Sequence, residues 1–203
     1  MTKVKSYLSL IKFSHTIFAM PFALIGFFLA IFENTSVIPG WHTKVFPPAF
    51  DWSSLGIKLV LVILCMVFAR SAAMAFNRYL DRQYDAKNPR TAVREIPSGV
   101  ITPKNALAFT IISCLLFIAC TWFINSICFY LSPVALAVVL GYSYTKRFTP
   151  LCHLILGLGL SLAPIGAYLA VTGEFALLPI LFSIAVIFWV SGFDIIYALQ
   201  DEE

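Results

Sequence analysis

Asn77, Asp81 and Asp85 recur every four residues within the stretch AFNRYLDRQYDAKNPRTAVREIPSG, a dense run of charge in a 203-residue chain of which only 12% is charged. At 100° per residue, Arg70 and these three share an arc of about 80°, provided that the helix carrying them runs on to Asp85. Asp81 and Asp85 then stand about 6 Å apart along the axis. Two carboxylates that close repel unless a cation or a raised pKa relieves them. Oxygen ligands without clustered His or thiolate suit Mg²⁺, which takes one or two protein carboxylates and completes its shell with water and substrate phosphate. The competing arrangement is a solvated loop in which Arg78, Arg82 and Lys87 pair with the acids at helical spacing.

A second acidic pair lies near the other end of the chain. Asp194 and Asp201, seven apart, face within about 20° of each other on a helix, with Tyr197 beside them. Asp194 is two turns further in, and an ionisable residue at membrane depth usually faces a polar cavity or pathway. Two acidic walls at one membrane face describe a cation site, and the Arg and Lys around them describe an anion bound to that cation. A phosphate or diphosphate on a membrane-soluble tail fits both.

The elements that must position these residues are membrane-spanning helices. The chain is 60% hydrophobic, with about half the charged share of a soluble domain. Six apolar runs, 14–32, 55–76, 105–123, 126–144, 151–171 and 176–198, are each long enough to cross a bilayer. The expectation is an all-α polytopic bundle forming a single integral-membrane domain over residues 1–203, with runs three and four joined by a tight turn at Asn125. The first run is too long for a cleaved signal peptide. The 33–54 loop, with Pro39, Pro47, Pro48, Trp41 and Trp52, suits an interfacial segment.

Charge sets the orientation. Lys3, Lys5, Lys12, Arg78, Arg82, Lys87, Arg90, Arg94, Lys104, Lys146 and Arg147 fall on one face, against Lys44 and Lys58 on the other. By the positive-inside rule the N-terminus, the even-numbered connections and both acidic clusters are cytoplasmic. The net charge of +4 favours anionic headgroups or an anionic substrate, and nothing points to nucleic acid. Five cysteines without metal-like spacing read as small buried residues. His15 reads as interfacial or packed, and His153, lacking any partner pattern, as structural. Arg70, costly in lipid, is expected to face the cavity.

These residues resemble the UbiA superfamily of intramembrane aromatic prenyltransferases. Asn77, Asp81 and Asp85 match its Asn-x3-Asp-x3-Asp motif; Arg90, Thr91, Arg94 and Gly99 match its basic loop; Tyr142 and Lys146 match Tyr-x3-Lys; and Asp194, Tyr197 and Asp201 match Asp-x2-Tyr-x3-Asp. The resemblance runs from IKFSHTIFAMPFALIG to the last residue. Two departures accompany it: Arg78 stands where many relatives carry an acid, and the acid expected four residues after Asp201 falls beyond Glu203. Against about nine helices in the family, six spans imply a C-terminally truncated chain that is incomplete as an enzyme.

The resemblance implies Mg²⁺-dependent transfer of a polyprenyl group from an allylic polyprenyl diphosphate to an aromatic acceptor, nominally 4-hydroxybenzoate, in ubiquinone or menaquinone biosynthesis. Asn77, Asp81, Asp85 and Asp201 are the implied metal ligands. Arg90, Arg94, Lys146 and Arg147 are the implied diphosphate ligands, with Arg70 as a further candidate. Asp194, Tyr197 and Tyr142 would position the acceptor, Asp194 also assisting proton removal. The implied location is a bacterial inner membrane. Alternatives are the same chemistry on a menaquinone precursor, haem or chlorophyllide, and a non-catalytic remnant that binds lipid diphosphate. A transporter would spread its charges through the membrane depth, and a CDP-alcohol phosphotransferase would need an Asp-Gly-x2-Ala-Arg run that is absent.

Overall fold

A computed structural model describes residues 3–33, 36–37, 44–45 and 51–200. Seven helices follow in chain order: α1 (Lys3–Leu10), α2 (Phe13–Glu33), α3 (Trp52–Asp85), α4 (Pro103–Ile124), α5 (Ser126–Thr145), α6 (Cys152–Thr172) and α7 (Leu177–Gln200). A two-residue ribbon pairs β1 (Ser36–Val37) antiparallel with β2 (Lys44–Val45), with Ser36 opposite Val45. The six expected apolar runs all become helices, α2 to α7. Five of them, α3 to α7, are long and apolar enough to cross a membrane; the apolar stretch Ala19–Glu33 of α2 is shorter. Helix α2 as a whole, Phe13–Glu33, has 21 residues with a single charge at its end and covers the first of the expected runs. Helix α1 and the ribbon were not anticipated, since eight polar-rich residues and two-residue pairings carry too little periodicity to read. Most of the expected interfacial segment, with Trp41 and its prolines, lies outside the described residues.

Helix α3 positions the site. Its 34 residues span about 50 Å, well beyond a hydrocarbon core of about 30 Å. No Gly or Pro interrupts residues 57–88, so the helix continues past its apolar part and carries Asn77, Asp81 and Asp85 out toward the membrane face. Its start is capped by Asp51, whose carboxylate accepts from the Ser53 hydroxyl (2.6 Å) and from the amides of Ser53 (3.0 Å) and Ser54 (3.2 Å). These bonds, the Ser53 hydroxyl foremost, hold Asp51 below the usual carboxylate range. The following loop folds back over the helix end: Ile96 and Ile101 are buried with Leu10, Ala75 and Ala106. Gly99 makes its turn with φ 77°, a conformation costly for any residue with a Cβ.

Asn125 joins α4 to α5 as expected. It ends one helix and caps the next, its Oδ1 accepting from the Cys128 amide at 2.8 Å while its Nδ2 donates to Leu169 O at 2.8 Å on α6. Without a hydrophobic drive between helices in lipid, close contact rests on small residues. Ala23, Ala167 and Ala170 pack with Phe27, Ile31 and Val62 in the core. At Gly26 a Cβ would lie 2.0 Å from Pro164 O, so α2 meets α6 nearly backbone to backbone. Helix α6 thereby holds a central place, packing on α2, α5 and α7.

Candidate functional site

The acids of α3 are met by cations from other elements. Lys146, the C-cap of α5, donates from Nζ to Asp81 Oδ2 in a short contact and to Asn77 Oδ1 at 3.2 Å. Arg147 Nη2 donates to Asp81 Oδ1 at 3.3 Å, and its guanidinium lies 5.3 Å from the ring centroid of Tyr84. Arg94 in the folded loop donates from Nη1 to Asp85 Oδ1 at 2.6 Å. The loop is tied down beneath this pair by Thr91, whose buried hydroxyl donates to Asp85 O at 2.9 Å. Local pairing along α3 is not what forms. Arg82 turns back to Tyr79, donating to its carbonyl at 2.6 Å with its guanidinium 4.4 Å from the ring centroid, and Arg78 is buried with Nη1 unpartnered. Tertiary contacts to more distant cations hold the carboxylates.

One carboxylate oxygen is left over. Asp85 is buried, and its Oδ2 has no hydrogen-bond partner. A buried, unpaired carboxylate oxygen is costly, and with Asn77 Oδ1 and the Asp81 oxygens it completes an all-oxygen set on one helix wall. The ammonium of Lys146 already lies between two members of that set, so the wall accepts positive charge. These residues fit a hard divalent cation. Asp201, the remaining expected ligand, lies outside the described residues, and among those described no cluster of three or more His, Cys, Asp or Glu occurs.

The second cluster lies at the same end of the bundle. His153, in the first turn of α6, sits with Nδ1 2.7 Å from Asp194 Oδ2 near the end of α7. The sequence shows no partner pattern for His153, and the structure supplies one. Its partner is 41 residues away, and only the antiparallel packing of α6 on α7 brings the two together. Tyr142, half-buried, lies on α5 one turn before Lys146, on the same helix end that supplies the cation to Asp81. Tyr197 does not join this cluster: it is exposed and stacks on Phe193, with centroids 6.2 Å apart. Its place three residues beyond Asp194 turns it onto the neighbouring face.

Arg70 lies about 10 Å deeper than Asn77 along α3. Its Nε is buried without a hydrogen-bond partner, which agrees with an inward-facing arginine. Arg90 is exposed on the loop, its amide donating to Asn88 Oδ1 at 2.9 Å. The side chain of His15 lies outside the described residues.

The sequence profile described as the UbiA prenyltransferase family matches residues 19–203. The chain belongs to that family. It is 34% identical over 164 residues to the 4-hydroxybenzoate octaprenyltransferase of Tolumonas auensis, covering 80% of this chain and 55% of that protein. Among solved structures it resembles the apo UbiA homolog from Aeropyrum pernix K1, with TM-score 0.75, 32% identity and coverage of 93% of this chain and 64% of that one. The fold is also that of the UbiA homolog from Archaeoglobus fulgidus bound to GPP and Mg²⁺, with TM-score 0.69, 21% identity and coverage of 97% and 64%. The chain thus spans just over half to about two thirds of the length of these relatives.

Proposed function

We propose that the protein binds an allylic polyprenyl diphosphate at its charged end and, with Mg²⁺, transfers the prenyl group to an aromatic acceptor, 4-hydroxybenzoate being the first choice. The single observation that carries this reading is the meeting of Asp81 and Asp85 with Lys146, Arg147 and Arg94, from three separate elements, at one end of an otherwise apolar bundle. A diphosphate head needs metal ligands and cations together, and its tail needs apolar walls. The relative from Tolumonas auensis, by its name, acts on 4-hydroxybenzoate, and the homolog from Archaeoglobus fulgidus is described with a prenyl diphosphate and Mg²⁺.

Asn77, Asp81 and Asp85 would hold the metal, with Asp201 as a further ligand. When bound, Mg²⁺ supplies Lewis-acid stabilisation of a diphosphate leaving group. Lys146, Arg147 and Arg94 neutralise the oxygens of the departing diphosphate, with Arg90 and Arg70 as further anion ligands. The apolar helices keep water from the allylic carbon as its bond to oxygen breaks, because water would compete with the ring. Aromatic faces favour the developing positive charge. Asp194 and Tyr142 are assigned to the acceptor, which approaches from the α5–α7 side. We place the charged end and the N-terminus on the cytoplasmic side of a bacterial inner membrane, on the distribution of Lys and Arg.

The test is Mg²⁺-dependent transfer from a short allylic diphosphate to 4-hydroxybenzoate by the intact protein in membranes. Asp81→Ala and Asp85→Ala should each abolish transfer while membrane insertion is kept. Unchanged activity in both variants would remove the metal-site assignment. Diphosphate binding without transfer to 4-hydroxybenzoate would shift the acceptor to a menaquinone precursor, haem or chlorophyllide.

A further inference from the structure

Aromatic substitution releases one proton, and the acids of α3 are taken up by the diphosphate machinery: Asp81 meets Lys146 and Arg147, and Asp85 meets Arg94 through Oδ1 while its unpartnered Oδ2 is assigned to the metal. The His153–Asp194 pair differs. With Asp194 ionised and the ring neutral, the carboxylate can only accept, so the 2.7 Å contact takes the hydrogen bond from Nδ1 and leaves Nε2 with a lone pair. The side chains are 25% and 29% exposed, sheltered without being sealed from a substrate.

The helices are locked where the pair forms. Ser191 Oγ, three residues before Asp194, donates to His153 O at 3.0 Å. One turn further along α6, Gly157 meets α7 so closely that a Cβ would lie 2.6 Å from Ile187 O and 2.4 Å from Ser191 Oγ. The backbone of His153 and the carboxylate of Asp194 are therefore held in register by two contacts besides their own. The pair lies at the same end of the bundle as the expected seat of the diphosphate, since only residues 147–151 separate Lys146, the C-cap of α5, from the start of α6 at Cys152.

We propose that His153 is a catalytic base, its Nε2 taking the proton that the acceptor ring releases, with Asp194 fixing its tautomer and stabilising the imidazolium that results. This rests on the prenyl-transfer reading above. In the step, the bond between the allylic carbon and the diphosphate oxygen breaks with its electron pair going to diphosphate, and a ring π pair forms the new carbon–carbon bond. The ring C–H pair then restores aromaticity as its proton passes to Nε2. No oxidant or reductant is needed. The proton leaves later to water at the exposed end of the bundle.

His153→Gln keeps a polar side chain able to hydrogen-bond Asp194 but removes the base. In the intact protein, with folding checked by thermal unfolding, the variant should lose about 10²-fold in kcat while KM for the allylic diphosphate changes little. Transfer to 4-hydroxybenzoate deuteriated beside its hydroxyl should become slower than transfer to the ordinary acceptor in the variant, because proton loss then limits the rate, whereas the wild type should show little difference. Wild-type turnover in the variant, or slowed turnover without an isotope effect, would overturn the assignment of His153 alone. A wild-type protein that binds no allylic diphosphate would instead overturn the functional reading, and this inference with it.

Discussion

Removing Lys146 separates the two tasks that the structure assigns to it. Its ammonium contacts Asp81 and lies 3.2 Å from Asn77 Oδ1, with the side chain 25% exposed. In Lys146→Ala, Asp81 keeps Arg147 at 3.3 Å, so the folding cost should fall below the ~3–5 kcal/mol of a fully broken buried pair and near the ~1 kcal/mol of a partly exposed one. The loss on the ligand side should be larger. A charge-assisted hydrogen bond contributes about 1.5–3 kcal/mol, and about 1.4 kcal/mol corresponds to a factor of ten, so diphosphate binding should weaken about 10- to 100-fold. The assay is equilibrium binding of a non-reactive allylic thiodiphosphate to the protein in nanodiscs, beside binding of 4-hydroxybenzoate and thermal unfolding of the same sample. Acceptor affinity should hold within about threefold, which is under 1 kcal/mol. Equal weakening of both ligands would refute the reasoning and leave Lys146 as a support of the fold.

Other perturbations test the frame. Gly26→Ala would drive a methyl into Pro164 O, so α2 must move off α6 at a cost of about 1–3 kcal/mol, visible as a lowered Tm; an unchanged Tm would mean that the two helices separate freely. Asn125→Ala removes the α5 cap and the bond to Leu169 O, and should cost about 1–2 kcal/mol, with faster amide exchange at the α4–α5 turn; unaltered exchange would show that the cap is dispensable. Because the folded carboxyl of Asp51 is held low by Ser53 and Ser54, its cap on α3 is present above the unfolded carboxylate range and is lost as pH falls through the lower folded value. Ser53→Ala should bring that loss to higher pH, as followed by an NMR titration of Asp51; an unshifted titration would remove Ser53 as its cause.

The membrane class, the helices and the acidic stripe of α3 were legible in the sequence because they depend on local periodicity and composition. Twenty apolar residues between charges can only be accommodated as a span, and a four-residue recurrence puts Asn77, Asp81 and Asp85 on one wall whatever surrounds them. The motifs likewise carried the family, since each is a short run. What pairs with the acids was not legible. Local spacing offered Arg78, Arg82 and Lys87 as the competing partners, but the structure turns Arg82 to Tyr79 and brings in Lys146, Arg147 and Arg94.

His153 marks the same limit more sharply. Nothing within ten residues of it hints at a carboxylate, and Asp194 reaches it only because Gly157 lets α6 and α7 approach within backbone contact. Tyr197 fails in the opposite sense: its spacing from Asp194 suggested a shared face, but the helix turns it to Phe193. By itself the sequence determined which residue types stand on each helix face, because that follows from helical pitch. Which faces meet was decided by tertiary structure alone, because in lipid the choice rests on small-residue packing and distant polar partners, neither of which leaves a periodic trace.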